Sequence, residues 1–84
     1  MMYQIRVKKR AKHFIDSLSK NERERIINAI QMLPNGTDIK PVQGHPDLLR
    51  LRVGDYRIIY SIDEDELIVW VIDAGNRGQI YKRY

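Results

Sequence analysis

The sequence predicts an α+β domain of order β-α-α-β-β-β, a helical hairpin packed on one face of a mostly antiparallel four-stranded sheet. Three observations lead there. Apolar residues recur at helical spacing between Ala11 and Leu33. The second half holds short β-rich runs. Tight turn signals, Gly54-Asp55 and Asp63–Glu66, join those runs closely enough to make neighbours antiparallel.

Each element follows in order. Tyr3 to Val7 alternates and reads as a short strand. From Lys9 to Leu18 the apolar set Ala11, Phe14, Ile15 and Leu18 forms one helical stripe. Ser19-Lys20-Asn21-Glu22 places a hydroxyl and a carboxylate three residues apart, a capping-box pattern that starts a second helix. Its buried side is predicted to be Ile26, Ile27, Ala29, Ile30 and Leu33, and Pro34-Asn35-Gly36 stops it. Residues 35–46, broken by Gly36, Pro41 and Gly44 and closed by Pro46, read as a surface loop. Leu49, Leu51 and Val53 then alternate with Arg50 and Arg52, and Tyr56 to Ile62 forms the next strand. Leu67 to Ile72 is apolar on both faces, as a central strand should be. The tail from Gly75 to Tyr84 is short and basic, without room for a long helix.

The chain of 84 residues suits one domain, residues 1–84. Its 43% apolar content supports a thin core, and its 31% charged content argues against disorder or a fibre. With no cysteine, disulfides, thiolate metal sites and cysteine nucleophiles are all excluded. The longest apolar run, Leu67 to Ile72, is far too short to span a membrane, and the N-terminus lacks the apolar stretch of a signal peptide. A cytoplasmic protein without membrane contact is expected. The net charge is +4, with a pI near 9.6. It is unevenly placed: residues 1–25 hold eight cations (6, 8, 9, 10, 12, 20, 23 and 25) against three acids (16, 22 and 24). Such a balance invites an anionic partner, most commonly nucleic acid.

The chemistry-bearing residues gather in the sheet. With Leu49, Leu51 and Val53 turned inward, Arg50 and Arg52 share the open face with Arg57. Arg77 and Tyr81, leaving the end of the central strand, close the side of that surface. Fixed guanidiniums beside an aromatic ring suit a polyphosphate such as RNA. Each residue also has a plainer role open to it. Arg50 and Arg52 would serve as solvated strand positions, Tyr81 as packing, and Arg57 as a structural ion pair with Asp55 or Asp73. Lys8, Lys9, Arg10 and Lys12 flank the first helix, either as a solvated face or as accessory phosphate contacts. His13 reads as a helix boundary residue and His45 as a loop residue. The two histidines have no carboxylates at ligand spacing, so neither a metal nor a cofactor is expected.

The run from Leu49 to Tyr60, Leu-Arg-Leu-Arg-Val-Gly-Asp-Tyr-Arg-Ile-Ile-Tyr, resembles the hallmark of the RelE/ParE superfamily of bacterial toxins, in its RelE-like branch. So do Val42-Gln43-Gly44 upstream and the tail from Arg77 to Ile80-Tyr81. The resemblance covers essentially the whole chain. It implies the toxin of a type II toxin–antitoxin pair, a ribosome-dependent endoribonuclease. Such an enzyme cuts mRNA in the 30S A site by attack of the 2′-hydroxyl, without a metal. Its partners would be a RelB-like antitoxin and, only through that antitoxin, operator DNA. The resemblance further implies that Arg57 contacts the scissile phosphate and that Arg77 stabilises developing charge or protonates the leaving oxygen. Tyr81 would stack on a base or orient the RNA. Arg50 and Arg52 stand where the best-known member has lysines, and Asn76 where many relatives carry histidine. Arginine is a poor general base, which leaves Asp73 or substrate strain to serve. The same fold also fits a ParE-like DNA gyrase inhibitor, or a weakly active toxin that mainly serves as co-repressor.

Overall fold

The computed structural model describes residues 3–84. The chain runs β1 (Gln4–Val7), α1 (Lys9–Asp16), α2 (Lys20–Gln31), β2 (Ile39–Val42), β3 (His45–Val53), β4 (Tyr56–Asp63), β5 (Ile68–Asn76) and α3 (Arg77–Arg83). The strands form one sheet in the order β1-β5-β4-β3-β2. β1 runs parallel to β5, and every other pairing is antiparallel. The fold class is α+β as expected, with α1 and α2 laid on one face of the sheet.

The core lies between that hairpin and the sheet. Ala11, Ile15, Ile26, Ile30 and Leu33 meet Leu51, Val53, Ile58, Tyr60, Val69, Val71 and Ala74. The Ser19 hydroxyl caps α2, accepting from the Glu22 backbone N–H at 3.4 Å, as the capping pattern implied.

Four features differ from the sequence reading. The segment read as a loop contains β2, and β3 starts at His45, so the sheet has five strands and His45 is a strand residue. Pro41 is tolerated because β2 is an edge strand, where one side of the ladder needs no donor. The basic tail folds into α3, seven residues long. Ile27, predicted to be buried, is 39% exposed, because the contact stripe of α2 passes through Ile26 and Ile30.

The fourth difference is a bulge in β5. Ile59 pairs with Asp73 and Tyr60 with Val71, which leaves Ile72 as the extra residue. Strict alternation after Val69 and Val71 would drive Asp73 into the apolar core. The bulge reverses the parity, so Ala74 faces the helical hairpin opposite Ile58 while Asp73 falls opposite Ile59. That second face belongs to α3.

Candidate active site

Strand register builds the site as two rows across the open face. Arg50 on β3, Ile59 on β4 and Asp73 on β5 form one row; Arg52, Arg57 and Gly75 form the next. Antiparallel pairing of two strands with alternating patterns thus brings three arginines to one surface. α3 then crosses the same face, burying Ile80 to 1% exposure. A Cβ on Gly75 would come within 3.2 Å of Gln79 and 3.3 Å of Arg83. The bare backbone there lets the helix lie close.

Arg57 is the centre. It is 5% exposed. One terminal nitrogen donates to the backbone carbonyls of Gly54 at 2.9 Å and Tyr56 at 3.1 Å. Its Nε is buried with no hydrogen-bond partner among the described residues. The structural ion pair with Asp55 or Asp73 does not form: carbonyl oxygens hold the guanidinium, and Asp73 is bonded to Arg83. A buried cation held by neutral oxygens, with no carboxylate partner among the described residues, keeps most of its charge for an incoming anion.

Gly54 shapes this arrangement from the β3–β4 turn. Its φ of +59° is the left-handed conformation that favours glycine, and a Cβ there would lie 2.8 Å from the Arg25 guanidinium. The same carbonyl that holds Arg57 also accepts from Arg52 Nε at 3.4 Å.

Tyr81 lies within reach of the Arg57 and Arg50 side chains and lines a cavity with Arg50. The Arg57 guanidinium above all, with Arg50 adding, holds the Tyr81 phenol below the usual tyrosine value of 10.0. The ring is 53% exposed, and the Arg77 guanidinium lies 5.9 Å from its centroid, a cation–π distance. The Arg77 backbone N–H donates to the Asp55 carbonyl at 3.0 Å, which ties the start of α3 to the β3–β4 turn. Arg50, Arg57, Arg77 and Tyr81 therefore converge as predicted, and Arg52 joins them through its cross-strand pairing with Arg57.

The sequence reading missed Asp38. Its carboxylate bridges Arg50 at 3.0 Å and Arg52 at 3.7 Å. It precedes β2 with φ of +56°, a conformation in which aspartate is enriched among non-glycine residues. Its place inside the segment read as a loop hid it.

The four residues around α1 do not form one patch. Lys8 Nζ sits 5.4 Å from the Trp70 ring centroid. Arg10 reaches Asp73 at 3.8 Å. Lys12 pairs with Asp16 at 2.7 Å. Lys9 is exposed. His45 stacks edge-on against Tyr84 with ring centroids 5.5 Å apart. Asp73 itself has no exposure to solvent and is filled by donors, so it cannot reach a substrate proton in this arrangement. Among the described residues, no three His, Asp or Glu side chains gather as metal ligands.

The fold and this surface define a class: a small α+β domain presenting clustered arginines and a tyrosine on the sheet face opposite its helical hairpin. A family model described as the ParE toxin of the type II toxin–antitoxin system parDE matches residues 5–81. The chain belongs to the RelE/ParE toxin superfamily and is a toxin of the type II toxin–antitoxin class. Solved structures agree in fold. The archaeal RelE–RelB complex from Pyrococcus horikoshii OT3 is 28% identical with a TM-score of 0.77, covering 94% of this chain and 99% of that one. The RelBE2 toxin–antitoxin complex of Mycobacterium tuberculosis is 20% identical with a TM-score of 0.77, covering 92% of this chain and 100% of that one. The isolated RelE toxin of Escherichia coli is 23% identical with a TM-score of 0.71, covering 96% of this chain and 93% of that one. No curated protein sequence matches the chain. Among the described residues no helix is long and apolar enough to cross a membrane.

Proposed function

We propose that this toxin is an endoribonuclease that cuts mRNA in the ribosomal A site and so stops translation. The observation that carries the reading is Arg57: a buried guanidinium without a carboxylate partner among the described residues, close to an exposed tyrosine and beside further arginines. That is a cradle for a phosphodiester.

In the proposed reaction the 2′-hydroxyl attacks the adjacent phosphorus. The bond to the 5′-oxygen breaks, leaving a 2′,3′-cyclic phosphate and a 5′-hydroxyl. Arg57, with Arg50 and Arg52, neutralises the oxygens of the crowded phosphorane, whose charge exceeds that of the starting diester. Arg77 stabilises charge on the departing oxygen, which takes its proton from water. The attacking hydroxyl gives its proton to the fraction of Tyr81 that is ionised, a fraction that grows with pH. Arg57 and Arg50 favour that anion, whereas arginines at 50 and 52 are themselves too weakly acidic to serve as bases. The exposed face of the Tyr81 ring gives the neighbouring nucleobase a surface to stack on. Lys8, Lys9 and Arg10 serve as accessory phosphate contacts, whereas Asp16 already neutralises Lys12 and leaves it little charge to offer.

The proposed protein partner is a RelB-like antitoxin, as in the solved complexes. An acidic segment would cover the arginine face, and strand addition would use the sheet edges at β1 and β2. Operator DNA would be reached only through that antitoxin, in the cytoplasm where translation runs.

One observation favours a second reading. The matching family model is that of the ParE toxin, which points to a gyrase inhibitor on the same scaffold. Primer extension on mRNA bound to purified ribosomes separates the two. New A-site ends with wild type and none with Arg57→Ala support the nuclease. Intact mRNA together with a DNA-damage response in expressing cells supports the gyrase reading.

A further inference from the structure

We infer that Asp73 is a positioning residue, a buried latch that fixes α3 to the sheet and thereby holds Tyr81 and Arg77 over Arg57. The catalytic half of this inference rests on the nuclease reading above; the mechanical half does not.

α3 is seven residues long, too short to be stable by its own hydrogen bonds. It buries a single apolar side chain, Ile80. Its start is held by its continuity with β5 and by the Asn76–Gln79 capping box. Its far end is held by Asp73. That carboxylate accepts from Arg83 Nε at 2.9 Å, from a terminal Arg83 nitrogen at 3.2 Å and from the Tyr84 hydroxyl at 3.2 Å. It also accepts from the Ala74 backbone N–H at 2.8 Å, and Arg10 of α1 approaches to 3.8 Å. One carboxylate thus joins α1, β5 and α3.

Two further features serve this contact. The bulge at Ile72 turns Asp73 away from the apolar core and toward α3. Gly75, two residues on, lacks the Cβ that would meet Arg83 at 3.3 Å. Tyr81 lies between the pinned ends of the helix, and a forked guanidinium–carboxylate pair fixes direction as well as distance. An apolar side chain at position 73 would bury surface without setting the angle of the helix.

The test uses the full chain with Asp73→Asn, Arg83→Gln and the double substitution. Amide hydrogen exchange reads the latch directly. In Asp73→Asn the α3 amides should exchange about tenfold faster or more, while those of β4 and the first half of β5 keep their protection. With ¹³Cζ-labelled tyrosine, the Tyr81 phenol should titrate closer to the ordinary tyrosine value as it leaves Arg57 and Arg50. On programmed ribosomes, kcat should fall by up to about 100-fold through misplacement, with KM within about threefold. The double variant should be no worse than Asp73→Asn, since the two side chains act as one contact. Unchanged α3 protection and unchanged Tyr81 titration overturn the latch. A loosened α3 with kcat intact overturns the positioning role. Should Asp73→Asn not fold, Arg83→Gln carries the same readouts. Should wild type cut no mRNA, the nuclease reading fails, and exchange and titration still decide the latch.

Discussion

The two faces of the sheet are built on opposite principles. Toward α1 and α2, aliphatic side chains interdigitate, and each is held by its neighbours without a directed bond. Toward α3, cover is thin and almost every contact is directed: Arg57 to two carbonyls, Arg50 and Arg52 to Asp38, Arg83 and Tyr84 to Asp73. The first face makes the domain fold. The second orients charge, and it tolerates buried guanidinium nitrogens that a stability-driven core would exclude. Residues 57 and 58 are neighbours on β4 and belong to different faces, so they separate the two roles most sharply.

Arg57→Ala is expected to lower mRNA cleavage on purified ribosomes on the order of 100–1000-fold, as for loss of one oriented transition-state donor. Its thermal midpoint should not fall, because the lost side chain is a buried charge with no carboxylate partner among the described residues. A large drop in melting temperature would make Arg57 a structural residue and erase the division between the faces.

Ile58→Ala should do the reverse. Ile58 is fully buried against the hairpin, and truncating such a residue costs about 2–5 kcal/mol. That is a large share of the roughly 5–15 kcal/mol that holds a domain together. Denaturant unfolding should show the loss, while cleavage per folded molecule stays near wild type.

Most of this division was legible from the pattern of side chains. Alternation placed Leu49, Leu51 and Val53 on one side of β3 and Arg50 and Arg52 on the other, and Ser19 with Glu22 announced the start of α2. What could not be read was whatever depends on the third dimension. β2 is hidden by Pro41 and Gly44, which mark loops unless the segment lies at a sheet edge. The bulge at Ile72 leaves no mark in an unbroken apolar run, yet it decides which way Asp73 faces. α3 has one apolar residue to bury, so no helical stripe announces it. Strand parity pointed to one surface shared by Arg57, Arg77 and Tyr81, and the fold brings them together, but the anchors of that group, Asp38 and the carbonyl of Gly54, become visible only in the fold.

Tyr81→Phe sharpens the contrast on the α3 side. The phenol lies below its usual value of 10.0 because of Arg57 and Arg50. As the proton acceptor, its reactive form grows as pH rises, so log(kcat/KM) should climb with pH and level off below pH 10. Phenylalanine should remove that limb and lower the plateau by about 100-fold, the smaller end for loss of a general base. A limb that persists in Tyr81→Phe assigns the proton transfer to another group.

Tyr60 probes the opposite face by the same kind of titration. Burial raises its phenol above 10.0, so the folded protein holds that proton more tightly than the unfolded chain. Its contribution to stability is fully present below pH 10 and is lost as pH rises through the folded value. Alkaline unfolding should therefore begin above pH 10, with Tyr84, raised by burial and by Asp73, adding to the fall. Tyr60→Phe should flatten part of that decline without altering cleavage near neutrality.

The smallest effect is expected from Lys12→Ala. Lys12 and Asp16 meet at 2.7 Å, but their side chains are 68% and 54% exposed. Exposed pairs of this kind are screened by water and salt, and no change in thermal midpoint at neutral pH is expected. The pair matters to Asp16, whose carboxyl is held below 3.8 by its hydrogen bond to Lys12. A depressed carboxyl stabilises the fold above its unfolded value and stops doing so as pH falls through the folded one, so any difference between Lys12→Ala and wild type belongs above that range, where screening keeps it small, and vanishes in strong acid, where Asp16 is protonated in both. Because Asp16 already neutralises the ammonium, the substitution should also change KM on ribosomes by less than about twofold, with the salt dependence of binding nearly unaltered. A salt slope reduced by about one unit would instead place Lys12 against a phosphate, and the RNA surface would then extend along α1 past Arg10 to Lys12.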